Sequence, residues 1–419
     1  MPRYVKARWP ADLDAPTRAA RAGGHYEAFL PDPVAAADVA LTSAVAQEVV
    51  DAEKAVQALQ DRAAVVTGLE SLSSLLLRAE SNASSRIEGL RVGQRRLARA
   101  AFDAQVRDQT AREVVNNIRA MEAAVATARG VERLSADDIM AMHRTLLEGT
   151  REARIASVVR TMQNWIGGND WNPIGAAYVP PPPEHVPGLL DDLAAFVVRD
   201  DIPAIVQAAI AHAQFELIHP FADGNGRIGR CLVHAVLVRR GLAPRFVPPV
   251  SLVLAANVRS YIAGLTAFRT GAAPEWISLF AAATRIASEQ ALRMAGDVVA
   301  QRQRWAQAAG NPRQGSTAAR LLEALPASPI VDIASVQRAF EVSHEAARTA
   351  LIQLETAGVL KSLSTSRYRR AWAATEVFDL VDAVERRLAA PTADMPEVAT
   401  PPSARRAARR RPSRLGTHL

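Results

Sequence analysis

Residues 219–230, HPFADGNGRIGR, cannot form one helix, and that fixes what lies on either side of them. Pro220 keeps the residue before it out of helical geometry, so a helix arriving from the N-terminal side must stop near Ile218. Val206, Ile210, Ala213 and Leu217 recur at helical spacing just ahead, which predicts an amphipathic helix. DGNG then needs a tight loop, because glycine tolerates positive φ and lets backbone approach a ligand closely. A second helix is expected from about Gly226, with Ile228, Leu232, Ala235 and Val236 on one side and Arg227, Arg230 and His234 on an open face.

A helix, a glycine loop and a second helix make an anion site. The positive end of the dipole and the free N–H groups of the second helix meet at the loop. Two arginines one turn apart offer forked donors to a polyphosphate. Asp223 is a hard oxygen ligand suited to a Mg²⁺ that bridges phosphates. His219 can take a proton from an attacking hydroxyl near neutral pH. His212, Glu216 and His219 also share a helix face at a spacing that could hold zinc, but no further ligand such as a nearby cysteine accompanies them.

Composition narrows the class. Cys231 is the only cysteine, which excludes an intramolecular disulfide and fits a reducing cytosol. No apolar run reaches the roughly 20 residues of a membrane helix, and the N-terminus lacks the apolar core of a signal peptide, so a cytoplasmic protein without membrane contact is expected. The net charge of +7 belongs mostly to residues 401–419, which carry six arginines and no acid. No G-x-x-x-x-G-K-[ST] loop is present, which rules out phosphate binding of that kind.

Along the chain, residues 1–30 read as an N-terminal arm and 31–130 as stacked helices. Residues 131–300 form a core interrupted at 164–188 and at the motif, and 301–317 are a linker around AAGNPRQGST. Residues 318–390 read as a small separate domain, and 391–419 as a disordered basic tail. Within 71–89, Leu72, Leu76, Ala79, Ala83 and Ile87 make one apolar stripe of a helix, with Ser81, Ser84, Ser85 and Glu88 on another face and Gly89 as its C′ residue. A glutamate in the last turn opposes the dipole, by typically 0.3 to ~1 kcal/mol, unless a cation lies nearby.

The motif resembles the Fic family signature H-x-F-x-[D/E]-G-N-G-R-x-x-R at every fixed position: His219, Phe221, Asp223, Gly224, Asn225, Gly226, Arg227 and Arg230. QNWIGG (163–168) and YVPPPPEHVP (178–187) are similar to the family's flap. The resemblance implies a mainly α protein, a Fic-type helical core with a small β-hairpin flap. It also implies transfer of AMP from ATP to a hydroxyl of a protein substrate. His219 would be the base and Asp223 the Mg²⁺ ligand. Asn225 with the amides of Gly224 and Gly226 would stabilise the α-phosphate, while Arg227 and Arg230 would hold the β- and γ-phosphates. SSRIEG resembles the family's inhibitory motif [S/T]-x-x-x-E-[G/N] through Ser84, Glu88 and Gly89, which implies that Glu88 pairs with Arg230 and blocks the γ-phosphate position.

Tyr178 and Val179, stopped by Pro180–Pro183, are expected to form the second flap strand and to dock the target by strand addition. Trp165 and Trp171 read as flap packing, and Tyr261 and Trp276 as core. Residues 328–375 run helix, turn, helix, hairpin, which resembles the winged helix behind many Fic cores; Ser343 caps its second helix and Gly358 ends it. If it reads DNA, Arg348, Gln353, Arg367, Arg369 and Arg370 are the candidates; the other use is protein contact, including a homodimer. Two further readings stay open: removal of AMP with Glu88 positioning water, and a regulator acting through the C-terminal domain.

Overall fold

The computed structural model describes residues 3–66, 69–103, 107–363, 370–389 and 395–396. An antiparallel ribbon comes first, β1 (Arg3–Trp9) and β2 (Gly24–Leu30), with α1 (Arg18–Arg21) between the strands. Helices α2 (Ser43–Val66), α3 (Leu69–Ile87), α4 (Gln94–Phe102), α5 (Gln109–Gly130) and α6 (Ala136–Leu147) follow. After an irregular stretch come α7 (Val186–Val197), α8 (Ala204–Ile218), α9 (Asn225–Arg239), α10 (Val250–Ala256), α11 (Val258–Arg269) and α12 (Ala273–Ala308). The C-terminal part comprises α13 (Thr317–Ala324), β3 (Ile330–Asp332), α14 (Ile333–Phe340), α15 (His344–Thr356), β4 (Lys361–Ser362), β5 (Ala371–Ala373) and α16 (Thr375–Ala389), with strand order β3-β5-β4. The chain is mainly α, as expected. No single helix among the described residues is long and apolar enough to cross a membrane.

The helices on either side of the motif begin and end close to where the sequence places them, but neither has an open face. Every residue of α8 except Glu216 is buried, and both of its glutamines are hydrogen-bonded internally. Gln207 donates to the carbonyls of Phe196 and Arg199, and Gln214 to that of Asp32. All of α9 from Asn225 to Val238 is buried as well. Its expected open face is covered by α3, so Arg230 is only 2 % exposed and His234 1 %. His234 meets the buried carboxylate of Glu80 on α3 at 2.8 Å, and Ser251 donates to the same carboxylate from α10. A carboxylate this deep is tolerable because both of its oxygens are hydrogen-bonded.

The expected helix at 71–89 is α3, and its end is stapled. Leu90 N–H donates to Ser85 O and Gly89 N–H to Arg86 O, both at 3.0 Å. With Gly89 at φ 84°, these two bonds are a Schellman motif, which makes Glu88 the last residue before the turn.

Four expectations need correction. Residues 1–30 are a folded ribbon rather than an arm, since Trp9 packs edge-on against Trp165 and Asn172 donates to the carbonyls of Ala19 and Ala20. The flap has a single bridge, Ile166 with Tyr178, instead of a full hairpin. Residues 301–308 continue α12, held by buried Trp305 whose indole N–H donates to Glu376, so only 309–316 connects. Residues 318–389 are not separate either: Leu321, Leu351 and Trp372 belong to the same apolar cluster as the helical core. The wing residues Arg367 and Arg369 and the tail from 397 lie outside the described residues.

Candidate active site

α8 ends at Ile218, and His219 follows in the left-handed region at φ 49°, its N–H donating to Phe215 O at 2.9 Å. That conformation costs a non-glycine residue energy and needs support from outside the segment. Arg160 supplies it. Its buried guanidinium donates to the carbonyls of His219 at 2.9 Å, Ile218 at 3.4 Å, Met162 at 3.2 Å and Pro181 at 2.5 Å, and its own N–H donates to Pro220 O. One side chain thus ties the end of α8 to both sides of the flap. Burial lowers Arg160 to about 10, a group that still carries its charge at neutral pH. Arg160→Ala leaves four carbonyls without this donor, at about 1–3 kcal/mol for each one that stays buried. We expect a clear loss of melting temperature and faster proteolytic cleavage within 155–180; an unchanged melt would refute the tie.

The loop after His219 is closed by Asn225, which accepts from Phe221 N–H and donates to Phe221 O, both at 2.8 Å. This corrects the expectation for Asn225: both side-chain groups are engaged, so it shapes the loop and its amide does not face outward. Gly224 caps α9 at φ 81°. His143 supports the loop from α6. It stacks on Phe221 with ring centroids 3.8 Å apart, accepts from Ser157 N–H at Nδ1, and therefore donates from Nε2 to Asp223 O.

Two arginines and two carboxylates define the charge of the site. Arg227 donates to Asp223 Oδ2 at 2.9 Å, and the Asp223 side chain is 40 % exposed. Arg230 donates from Nε to Ser84 Oγ at 2.8 Å, and from Nη2 to Ser84 O at 2.9 Å and to Glu88 Oε1 at 2.7 Å. Burial works against the Arg230 charge, yet the Glu88 carboxylate outweighs it and holds the guanidinium above its ordinary range. The carboxylate of Glu88 lies so close to Gly226 that a Cβ there would sit 2.0 Å from Oε1, so any other residue at 226 would have to push Glu88 aside. An anion therefore already rests at the N-terminus of α9, supplied by the chain itself. Arg227 Nε and Arg230 Nη1 remain buried without a hydrogen-bond partner.

Burial lowers His219 to about 4, with Arg160 adding to the effect, so its imidazole is neutral and able to accept a proton at pH 7. Its Nδ1 lies 3.4 Å from Glu216 O and 4.0 Å from Glu216 Oε2. Burial pushes Glu216 up to about 7 and His212 down to about 3. His212 turns away to Tyr261 Oη at 2.8 Å, and among the described residues no three metal-ligating side chains gather. The zinc spacing is thus not realised. For Mg²⁺ the residues fit a different arrangement: one partly exposed carboxylate, Asp223, with phosphates and water completing the shell.

These displacements have opposite consequences for stability. Between about pH 6.5 and 4 the unfolded chain protonates His212 and His219 while the folded one does not, so stability falls on acidification. A displacement from 6.5 to about 4 corresponds to roughly 3 kcal/mol. Glu216 acts the other way, because the folded state holds its proton from 4.5 up to about 7. Two histidines, joined by His143, which burial also lowers to about 4, outweigh one carboxyl. The melting temperature should drop from pH 6.5 to 4, and more steeply in Glu216→Gln; a flat profile would contradict the burial of these groups.

The flap positions Tyr178 and Val179 are closed rather than open for docking. Tyr178 donates its hydroxyl to Leu217 O at 2.5 Å and lies under Arg269 at 5.1 Å, while its N–H and C=O pair with Ile166. Val179 O accepts from Phe29 N–H of β2 at 2.8 Å. The ribbon thereby takes that edge, and the exposed apolar residues of the flap are Ile166 and Met162. Among the DNA candidates, Gln353 donates to Ala309 O, Arg370 is held by both oxygens of Glu355 at 2.8 Å, and Arg348 is 3.3 Å from Glu345.

The sequence reading missed Arg160, His143 and the Glu80–His234 pair. Each acts across the fold on a residue far away in sequence, and no spacing pattern marks it.

Comparison with known proteins gives matches over most of this region. Residues 133–237 match the Fic/DOC family profile, and residues 46–126 match the Fic/DOC family N-terminal profile. Protein adenylyltransferase fic-1 of Caenorhabditis elegans is 35 % identical over 120 residues, 28 % of this chain and 22 % of that protein. A probable protein adenylyltransferase of Aquifex aeolicus is 45 % identical over 69 residues, 16 % of this chain and 22 % of the relative. Protein adenylyltransferase Fic of Drosophila willistoni is 28 % identical over 211 residues, 47 % of this chain and 40 % of its own length. The chain therefore spans well under half the length of these curated relatives. The crystal structure of a Fic family protein from Desulfovibrio desulfuricans covers 80 % of this chain and 97 % of its own at a TM-score of 0.52 and 21 % identity, a likeness of fold.

Proposed function

This chain belongs to the Fic/DOC family, and from that premise we propose that it transfers AMP from ATP to a Ser, Thr or Tyr hydroxyl of a protein and is held inactive by its own Glu88. The observation that carries this reading is the Glu88 carboxylate lodged at the N-terminus of α9 beside Arg230, where Arg227 and Arg230 of the same helix each keep a buried N–H group without a partner. Buried donors without acceptors are costly, and a triphosphate has the oxygens to satisfy them.

Each residue then has a step. His219, neutral and fixed by the Arg160 tie, takes the proton from the target hydroxyl at its imidazole nitrogen. The hydroxyl oxygen attacks the α-phosphorus, the bond to the β-phosphate bridging oxygen breaks, and pyrophosphate leaves with the electron pair. The amides at Gly224 and Gly226 receive charge on the α-phosphate, Arg227 holds the β-phosphate and Arg230 the γ-phosphate. Asp223 would hold Mg²⁺, which when bound neutralises phosphate charge. Ser84, Glu88 and Gly89 form the brake: Ser84 and Glu88 occupy Arg230, and the Gly89 turn presents Glu88 to it.

Product analysis tests the reading. With ATP and Mg²⁺ the Glu88→Gly protein should leave pyrophosphate and an AMP ester on a hydroxyl side chain. ADP with orthophosphate, the products of attack at the γ-phosphorus, would overturn it. We read the C-terminal part as a winged helix on its order helix, strand, helix, helix, strand, strand.

A further inference from the structure

We propose that the C-terminal unit, residues 317–389, is part of the brake: it grips the turn that carries Glu88 from outside, and loosening that grip releases the site. The proposal rests on the reading of Glu88 given above and names what controls it.

Glu385 of α16 bonds both sides of the turn. Arg86, at the end of α3, donates to Glu385 Oε2 at 2.7 Å, and Gln94, the first residue of α4, donates to Glu385 Oε1 at 3.4 Å. One carboxylate therefore spans the Schellman turn, with Glu88 between its two partners in sequence. The Arg86 and Glu385 side chains are only 33 % and 19 % exposed, so solvent screens the pair less than it would a surface pair. The grip continues along both helices. Arg78 donates to Ala327 O at 2.7 Å and Ser71 to Glu323 O at 2.6 Å. On α4, Ala98 shares an apolar cluster with Ile330, Ala371, Ala373 and Phe378, with Phe102 packed against it.

The inner side of the same segment is held by the core. Ser84 and Glu88 meet Arg230, and Asn117 on α5 donates to Ser81 O and Ser85 Oγ. Residues 71–102 thus touch the helical core on one side and the C-terminal unit on the other. Glu88 is 38 % exposed, so its single ion pair with Arg230 is a modest interaction by itself. Its occupancy of the site depends on the turn being kept in place, and Glu385 does that from the C-terminal unit. A partner that pulls on or reshapes 317–389 would act on Glu88 through Glu385 and Arg86 without touching the motif.

A charge exchange in the whole chain tests this, because neither Arg86 nor Glu385 belongs to the catalytic machinery. Glu385→Arg alone, Arg86→Glu with Glu385→Arg together, and Glu88→Gly are compared with wild type. Two readouts are taken: pyrophosphate release with ATP and Mg²⁺, and amide hydrogen exchange across 83–92. Glu385→Arg should raise both by roughly 5- to 30-fold, the factor for loss of a contact of this kind. The double exchange should return both toward wild type. Exchange in α8 and α9 should not change, which separates release of the turn from general unfolding. If 83–92 exchanges in Glu385→Arg as in wild type, or if the double exchange restores neither readout, the proposal is wrong. If exchange responds as expected while Glu88→Gly releases no pyrophosphate, the grip stands and the AMP-transfer reading fails.

Discussion

Glu88→Gly is expected to turn a nearly silent protein into an active one, with AMP transfer rising on the order of 10²-fold, the effect of moving a bound substrate from a misplaced to an aligned pose. The argument is spatial. Glu88 Oε1 is 2.7 Å from Arg230 and occupies the space directly above Gly226. On the proposed function that is where the γ-phosphate must lie for the α-phosphorus to face His219. On the same reading ATP would still enter with the carboxylate present, but its outer phosphate would be excluded from Arg230 and the reacting end would turn away. Removing the carboxylate frees one N–H of Nη2, the other staying on Ser84 O, to join the unpartnered Nη1 as a forked donor. Intact mass after incubation with ATP and Mg²⁺ reads the outcome. Equal adduct levels on wild type and Glu88→Gly would show that Glu88 is no brake.

Adding His219→Ala to Glu88→Gly should remove the gain, by about 10²- to 10⁴-fold, the usual contribution of a positioned base. Neutral imidazole is available across the physiological range, since burial keeps His219 near 4. ATP affinity should stay close to that of the single variant, because the phosphate contacts assigned to Arg227 and Arg230 are untouched. A fall in transfer matched by an equal fall in ATP binding would instead make His219 a structural residue, a role its left-handed backbone and the Arg160 tie would also explain.

The motif itself was legible because its constraints are local. Pro220 ends α8 wherever the chain goes, Gly224 accepts its positive φ without strain, and Gly89 closes α3 with bonds that reach only five residues back. Ser343 likewise caps α15 by accepting from Ala346 N–H three residues on. What the sequence misplaced was exposure. Periodicity marks the apolar stripe of α9 but does not reveal that the opposite stripe lies under α3, so arginines read as open are buried. In the same way it did not reveal that β2 takes the edge of Val179, or that Asn225 is used up by Phe221.

The sequence by itself determined which chemical groups the site contains and where its helices break, since backbone preferences and caps act between neighbours in the chain. Tertiary structure decided which charges meet, and only the Glu88–Arg230 pair was implied beforehand, by the family resemblance. Glu88 and Arg230 are 142 positions apart, and Arg86 and Glu385 are separated by 299. Nothing local selects such partners. They are chosen when helices pack, because a charge taken out of water must find an opposite charge or a hydrogen bond within reach, and only the packed arrangement of α3, α9 and α16 sets what is within reach.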